Sequence, residues 1–188
     1  RLRMPAIPAT PEEGLDQHLN LRHRFPGDRI VLEPPFSGTW TVSQAFDGDF
    51  THKGDYRYAV DFVVKDENGR EFRGAGARPE EFHCFGKPVL SPVTGTVVRV
   101  ETRVEENEIG VADRDANWGN YVLLYDLRGF YVKLCHLQKG SIAVAEGQQV
   151  ARRQVVAMCG NTGYSPTPHL HLQVIADHVA RYHDEVAE

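Results

Sequence analysis

The chain has few of the features that mark membrane, nucleic-acid-binding or disulfide-rich proteins. None of its apolar runs approaches the roughly 20 residues of a membrane-spanning helix. It has 21 basic and 26 acidic residues without a basic cluster, which argues against nucleic acid or an anionic membrane as a partner. Its 188 residues, 41% of them hydrophobic, are enough for one domain with a full core.

Cysteine is also scarce, with Cys84, Cys135 and Cys159 the only three. An odd number leaves at least one thiol unpaired within the chain. No C-x-x-C spacing points to a metal site built on thiolates. A disulfide between Cys84 and either of the other two stays open, but we expect reduced thiols.

The strongest chemical signal is a pair of histidines, His169 and His171, separated by one leucine. They lie in residues 166–174, an alternating segment opened by prolines, which predicts a strand. Because side chains alternate between the faces of a strand, both histidines should share one face while the apolar residues face a core. That spacing suits one imidazole that binds a metal and a second that acts beside it. An H-x-H pattern alone is a weak signal, so partners are needed.

Two residues upstream can complete a metal site. Asp61 lies in the middle of residues 58–64, which predict a mostly buried strand, and a buried carboxylate must be paired, hydrogen-bonded or metal-bound. His52 precedes it by nine residues in a polar loop. With His171 they make a His, Asp, His set that leaves a fourth tetrahedral position for water, as in catalytic zinc sites. The alternatives for Asp61 are an ion pair with Arg57 or a role in a backbone turn, and the alternative for His52 is an ordinary position in a surface loop.

A predicted β-hairpin contributes a further histidine. Residues 120–126 and 130–137 have the composition of strands, and the turn 127–129 joins them. His136 falls at the end of the second strand, where a side chain can emerge into a cleft. A lone histidine there is more often structural, but beside the other four polar residues it becomes a candidate catalytic group.

The order of these segments resembles that of the lysostaphin-type, or LytM-like, zinc endopeptidases of peptidoglycan. The similarity extends over roughly residues 38–176, and the combined set is far more specific than any one piece. The matching segments, in chain order, are residues 52, 58–62, 86–89, 91–97, 120–122, 135–137, 140–141, 147–150, 159–163 and 168–171.

The resemblance implies one zinc ion per chain, with His52, Asp61 and His171 as its ligands. It also implies that His136 and His169 are catalytic histidines that do not bind the metal. The implied activity is zinc-dependent hydrolysis of peptide bonds in peptidoglycan stem or cross-bridge peptides, in the cell envelope, periplasmic or secreted. The alternative is a catalytically silent LytM-like module that binds or regulates a cell-wall hydrolase, although all five polar positions are present here.

The expected fold is mainly β, an antiparallel sheet of the lysostaphin/LytM-like type with short helical or irregular terminal arms. We expect residues 1–37 to form an N-terminal linker or arm, 38–176 the peptidase domain, and 177–188 a C-terminal helix or tail. Residues 65–85 are longer than the usual link in the family and are interpreted as a loop insertion that affects substrate choice. Other domains of a longer protein are possible partners.

Further polar and aromatic residues are candidates for binding the substrate. Tyr56, Asn161 and Tyr164 lie in or beside the motif segments, and we expect them near the groove. Trp118 is a candidate for the same groove, and a core position is at least as consistent with its sequence. Residues 113–119 begin like a calcium loop, but the glycine is displaced and the bidentate glutamate is missing, so a polar loop is the favoured interpretation.

Overall fold

A computed structural model describes residues 31–175. Residues 1–30 of the predicted N-terminal arm (1–37) and the whole predicted C-terminal tail (177–188) lie outside this described range. Within it the regular structure consists of nine β-strands and two short 3-10 helices, and the prediction of a mainly β, antiparallel fold is confirmed. None of the helices in residues 31–175 is long and apolar enough to cross a membrane.

The strands are short and separated by turns. In chain order they are β1 (Thr41–Gln44), β2 (Ala59–Val63), β3 (Pro88–Leu90), β4 (Gly95–Glu101), β5 (Asn120–Asp126), β6 (Tyr131–Leu137), β7 (Gln149–Val150), β8 (Val155–Met158) and β9 (Leu170–Ile175). The 3-10 helices span Gly54–Tyr56 and Pro79–Glu81. Both helices are single turns within loops.

Seven strands form the main sheet, in the order β1-β2-β9-β6-β5-β4-β7, and every neighbouring pair is antiparallel. A second sheet contains β3 and β8. The predicted hairpin is confirmed as β5 and β6, joined at residues 127–129. Strand β9 lies between β2 and β6, so it brings the segment with two histidines beside both other predicted site strands.

The central strands β5 and β6 are buried on both faces, because each face packs a different set of side chains. Val122 and Leu124 join the main core, whereas Tyr121 and Leu123 join a second cluster on the opposite face. This division follows from the alternation of side chains along a strand. The near-continuous apolar sequence of the hairpin is therefore explained by burial on two sides.

The main core lies between the large sheet and the smaller one. Val89 from β3 and Val156 from β8 pack in the same cluster as Leu170 and Leu172 from β9, with Val174 at its margin. The predicted inward facing of these three β9 side chains is confirmed. The opposite face of β9 is left for its polar residues.

The described end of the predicted N-terminal arm packs against the sheet domain. The Glu33 amide donates to the Pro92 carbonyl at 3.1 Å, and the Leu90 amide donates to the Pro35 carbonyl at 2.8 Å. The Phe36 ring also packs against the core. Residues 31–37 therefore lie on the domain surface as a strap.

The segment interpreted as an insertion, residues 65–85, is closed by its own contacts. A β-bridge joins Phe72 to Phe82, and their ring centroids lie 5.2 Å apart. The His83 amide donates to the Glu71 carbonyl at 2.9 Å. This pairing folds the segment back on itself, and residues 65–85 are called the flap below.

All three cysteines are buried free thiols. The Cys84 Sγ donates to the Pro168 carbonyl at 3.1 Å. A hydrogen bond with Cys84, together with burial, raises the pKa of the Cys159 thiol well above its usual value. A protonated, buried thiol is a poor nucleophile and behaves as a small apolar side chain.

Two leucines of the hairpin test how much stability the core provides. Leu134 is fully buried in β6, whereas Leu127 in the connecting turn is 46% exposed. We expect Leu134→Ala to lower the free energy of unfolding by about 2–5 kcal/mol, because it removes apolar contacts and leaves a cavity. Leu127→Ala should change it by no more than about 0.5 kcal/mol. Urea denaturation measures both, and equal losses would contradict the assigned positions.

Candidate metal centre and active site

The sheet register brings Asp61 and His171 together. They are direct partners in the antiparallel pairing of β2 with β9, and such partners project side chains from the same face about 5 Å apart. The His171 Nδ1 lies 2.8 Å from Asp61 Oδ1, at hydrogen-bond distance. On its other side β9 pairs with β6, where Cys135 is opposite His171. The His171 backbone is therefore held by strands on both sides.

His52 reaches the same point from the loop between β1 and β2. Its Nδ1 lies 3.0 Å from the Ala45 carbonyl, which can only accept, so the hydrogen of the neutral ring is on Nδ1. The lone pair of the ring is then on Nε2, 3.1 Å from Asp61 Oδ2. That short contact is not a hydrogen bond, and Nε2 is buried without a partner. Two electron-rich atoms that face each other at this distance favour a cation between them.

The three predicted ligands fit a metal ion. His52, Asp61 and His171 are all buried, and each offers one donor atom within 4.8 Å of the others. No other group of three His, Cys, Asp or Glu residues in the described range 31–175 meets this condition. Two nitrogens and a carboxylate oxygen are donors typical of zinc and related divalent ions.

The Asp61 carboxyl is ionised despite its burial. Loss of water contact is the largest single influence on its pKa and raises it. The hydrogen bond with His171, the charges of His169 and His171, and a hydrogen bond from Gln44 oppose that effect and hold the pKa well below its usual range. The Gln44 Nε2 donates to Asp61 Oδ2 at 3.0 Å. An anionic oxygen is therefore available as a ligand at neutral pH.

His136 enters the site through an irregularity in the sheet. The β5–β6 register shifts between Asn120 and Val122, and His136 adopts a φ of 60°. A left-handed conformation is costly for a residue with a side chain and is concentrated at functional sites. The His136 Nδ1 lies 2.8 Å from the Thr162 carbonyl, so Nδ1 carries the hydrogen and Nε2 is left for the cleft.

His169 is held in the same way just before β9. Its Nδ1 lies 2.9 Å from the Thr167 carbonyl and 3.2 Å from Ser165 Oγ. Its Nε2 lies 3.9 Å from Asp61 Oδ1. The centroids of the His136 and His169 rings are 4.6 Å apart. Two imidazoles with fixed tautomers therefore stand beside the candidate metal ligands.

Burial also sets the charge of two of these histidines. It is the main cause that lowers the pKa of His136 well below its usual value, and the charges of His169 and His171 lower it further. Burial lowers the pKa of His171 as well, against the opposing hydrogen bond with Asp61. Both rings are therefore neutral near pH 7, which is the state that accepting a proton or binding a metal ion requires.

The site opens into a cleft of about 850 Å³. Tyr56, Trp118 and Tyr164 line it, together with all four site histidines and Asp61. The Tyr56 and Trp118 rings meet edge to face with centroids 5.3 Å apart, and Trp118 lies 5.7 Å from the His171 ring. Two of the three predicted substrate-binding residues, Tyr56 and Tyr164, therefore lie at the cleft.

The third, Asn161, does not line the cleft. It is fully buried. Its side-chain Nδ2 donates to the Asn107 carbonyl at 3.2 Å, and its Oδ1 accepts from Ser165 Oγ at 2.9 Å. Since Ser165 also contacts His169, Asn161 supports the loop that positions this histidine. Its side chain is occupied by these bonds and does not face a substrate.

Sequence reasoning missed Gln44, which organises one wall of the site. Its Oε1 accepts from the Phe50 and Thr51 amides at 3.0 Å and 3.1 Å, while its Nε2 bonds Asp61. Gln44 therefore ties the loop that carries His52 to the buried carboxylate. A polar residue at the end of a short strand carries no local signal of such a role. Phe50, Glu71 and Arg114 of the cleft lining were missed for the same reason.

The fold and the site geometry define a β-sheet domain with a candidate metal centre on the part of its main sheet formed by β2, β9 and β6. The sequence pattern of peptidase family M23 matches residues 81–182. This segment is more than half of the chain, and the chain belongs to that family. The matched segment contains His136, His169 and His171 but begins after His52 and Asp61.

Two curated relatives are similar over most of this chain. The peptidoglycan DD-endopeptidase ShyA of Vibrio cholerae is 30% identical over 147 residues, which cover 78% of this chain and 27% of ShyA. An uncharacterised metalloprotease of Buchnera aphidicola is 25% identical over 156 residues, which cover 81% of this chain and 33% of that protein. The chain thus spans a third or less of the length of these relatives.

A solved structure supports the fold. The chain is similar to a zinc-containing peptidase from Vibrio cholerae, with a TM-score of 0.52 and 22% sequence identity. The alignment covers 78% of this chain and 37% of that one. The similarity agrees with the sheet architecture described above.

Two glycines allow the loops beside the cleft to pack closely. Gly119 and Gly163 both have positive φ, and a Cβ added at Gly163 would lie 2.2 Å from the Gly119 amide nitrogen and 2.4 Å from the Ala116 carbonyl. These contacts are with backbone, which cannot move aside as a flexible side chain can. Gly140 has a similar φ of 71°, but nothing lies within 4 Å of the position of its Cβ.

Gly163→Ala should therefore destabilise the protein more than Gly140→Ala. Both substitutions carry the cost of a left-handed alanine, about 1–2 kcal/mol. Gly163→Ala should add about 1–3 kcal/mol from overpacking. The free energies of unfolding of the two variants test this difference. Equal values would show that the loop relaxes without cost.

Proposed function

We propose that this chain is a zinc-dependent endopeptidase that hydrolyses peptide bonds in the stem or cross-bridge peptides of peptidoglycan. The observation that carries the proposal is the convergence of two kinds of histidine in one cleft. His52 and His171 join Asp61 as a ligand set, while His136 and His169 stand beside them with Nε2 available. Membership of the M23 family and the similarity to ShyA support the choice of substrate.

One zinc ion per chain suits the donor set better than calcium or magnesium, which prefer oxygen ligands. His52, Asp61 and His171 would hold it, and the orphaned Nε2 of His52 would gain the partner it needs. When bound, zinc would polarise the scissile carbonyl and lower the pKa of a water molecule towards neutrality. Three protein ligands leave a position for that chemistry.

His136 and His169 provide the proton transfers. Each has Nδ1–H bonded to a backbone carbonyl, so each can accept a proton at Nε2 without changing its tautomer. One imidazole takes the proton of the attacking water. A ring that has become protonated at Nε2 can then donate a hydrogen bond to the developing oxyanion or pass that proton to the departing amine, and the short distance between the rings lets both serve one peptide bond.

The cleft can hold a peptide chain across the site. Its walls come from the loop before β2, the flap of residues 65–85 and the loops before β5 and β9. Aromatic rings of Tyr56, Trp118 and Tyr164 provide apolar surface with polar edges. A substrate of this kind places the protein in the cell envelope, periplasmic or secreted, where further domains of a longer protein can bring it to the wall.

Zinc content and cell-wall cleavage test the proposal directly. Protein purified without added metal should contain about one zinc per chain by elemental analysis, and should release fragments from purified peptidoglycan. A chelator should abolish release and lower the melting temperature, because a ligand that binds the folded state stabilises it. If the protein binds no zinc and cleaves no peptidoglycan even after metal is added back, the result would instead indicate a silent module that regulates another hydrolase.

Substitution of single histidines separates the two roles. His171→Ala should lose stoichiometric zinc, because it removes a ligand. His136→Ala and His169→Ala should each keep zinc while turnover falls by about 10²–10⁴-fold, the usual contribution of a general acid or base. His83→Ala, outside the cleft, is the matched control and should keep both zinc and activity.

Two results would contradict these assignments. A His171→Ala protein with one tightly bound zinc would remove His171 from the ligand set. A His136→Ala or His169→Ala protein with near-normal turnover would remove that histidine from the proton transfers. Zinc content and rate should be measured on the same preparation.

A further inference from the structure

Arg114 lines the cleft and forms no ion pair with any of the residues 31–175 that the structure describes. Apart from Asp61 and the histidines, the charged side chains that line the cleft are Glu71 and Arg114. Glu71 is paired with Lys65, whose Nζ lies 3.4 Å from Glu71 Oε1. Within residues 31–175, Arg114 has no carboxylate at ion-pair distance, and its guanidinium carbon lies 5.7 Å from the centroid of the Tyr164 ring. Arg114 is therefore the one arginine or lysine among the described residues that line the cleft, and it lies between Asp113 and Asp115 without an ion pair to a described residue.

The backbone around Arg114 is held in place. Asp113 Oδ1 accepts from the Asp115 and Ala116 amides at 2.9 Å and 3.2 Å, which closes a turn. The Asp113 amide donates to the Gly163 carbonyl at 2.9 Å. These bonds join the loop that carries Arg114 to the loop of residues 161–167. The backbone that carries Arg114 is thus fixed by hydrogen bonds at the side of the cleft.

Tyr164 is fixed at the same side of the cleft. The Tyr164 amide donates at 3.0 Å to the carbonyl of Asn117, which lies three residues after Arg114 in the same loop. The face of a tyrosine ring attracts a guanidinium and restricts its orientation. Because a preorganised side chain loses less conformational entropy on binding, Arg114 can hold a ligand more tightly than a free surface arginine.

The chemistry of Arg114 selects a carboxylate. A guanidinium presents a planar fork of donors that matches the two oxygens of a carboxylate. The chain as a whole has a formal charge of −5, so an acidic peptide gains no attraction from the protein at long range. A local cation inside the cleft is what would hold such a peptide. An uncharged bridge peptide would gain nothing from it.

We propose that Arg114, oriented by Tyr164, forms a subsite for a free carboxylate of the substrate close to the bond that is cut. The preferred substrate is then a cross-link between stem peptides that bears a carboxylate near the scissile amide, and not a neutral glycine bridge. This inference rests on the proposed endopeptidase function. It names the chemical group that the cleft recognises.

Binding of matched peptides tests the subsite without relying on hydrolysis. The acid probe is a synthetic dimer of stem peptides whose cross-link amide is N-methylated to resist cleavage, with the adjacent carboxylate free. The amide probe differs only in a primary carboxamide at that carboxylate, and a pentaglycine peptide is the neutral third probe. Calorimetry on the zinc-loaded protein compares the native chain, Arg114→Gln and Arg152→Gln. Arg152 is an exposed arginine outside the cleft lining.

The native protein should bind the acid probe at least about tenfold more tightly than the amide probe. The amide probe lacks the carboxylate and therefore cannot form the hydrogen-bonded ion pair with Arg114. Arg114→Gln should lower the affinity for the acid probe by a similar factor and reduce the preference for acid over amide to less than about twofold. Arg152→Gln should retain it. The corresponding cleavable dimers should show the same order in kcat/KM.

Three results would overturn the subsite: no binding of the acid probe, equal binding of acid and amide probes, or an Arg114→Gln variant that keeps the preference. Tighter binding of pentaglycine than of the acid probe would also overturn it. Carboxylate-selective binding without cleavage of any cleavable dimer would support the subsite and refute the endopeptidase. Cleavage without carboxylate selectivity would leave the endopeptidase standing and refute the subsite.

Discussion

The buried carboxylate of Asp61 is the constraint on which the rest of the site depends. A carboxylate removed from water must be compensated, and here His171 and Gln44 lie at hydrogen-bond distance from it while His52 faces it across the candidate metal position. Asp61 and His171 meet because β2 and β9 pair in one register. A slip of one residue would turn one of them towards the main core and separate the pair. The register between β2 and β9 therefore determines whether Asp61 and His171 can meet at the candidate metal site.

The two histidines proposed to transfer protons depend on a neighbouring loop for the orientation of their rings. The carbonyls of Thr162 and Thr167 determine which nitrogen of His136 and His169 carries hydrogen. Those carbonyls are held by the packing of the 161–167 loop against its neighbours. Glu106 takes part in this packing, because its Oε2 accepts from the Asn161 amide at 2.6 Å. The sheet register thus positions Asp61 and His171, whereas loop carbonyls orient the rings of His136 and His169.

Much of the fold could be predicted because local patterns and burial agree in this chain. Alternation around His169 and His171 correctly indicated which side of β9 faces the core, and the turn at 127–129 correctly indicated the hairpin. Asp61 drew attention because a charge in an apolar strand is costly. These signals involve only near neighbours in sequence. Gln44 and Arg114 carry no such signal, since their importance comes from what lies across the cleft.

The sequence by itself determined the strands, the faces that the histidines share and a short list of candidate ligands, because side-chain alternation and the cost of buried charge are local. Only the tertiary structure decided that His52 faces Asp61 across 3.1 Å, and that Asn161 supports a loop without facing the cleft. It also decided that Arg114 contacts the Tyr164 ring and has no ion pair among the described residues. Such relations join residues far apart in the chain, and their distances are set by sheet order and loop packing.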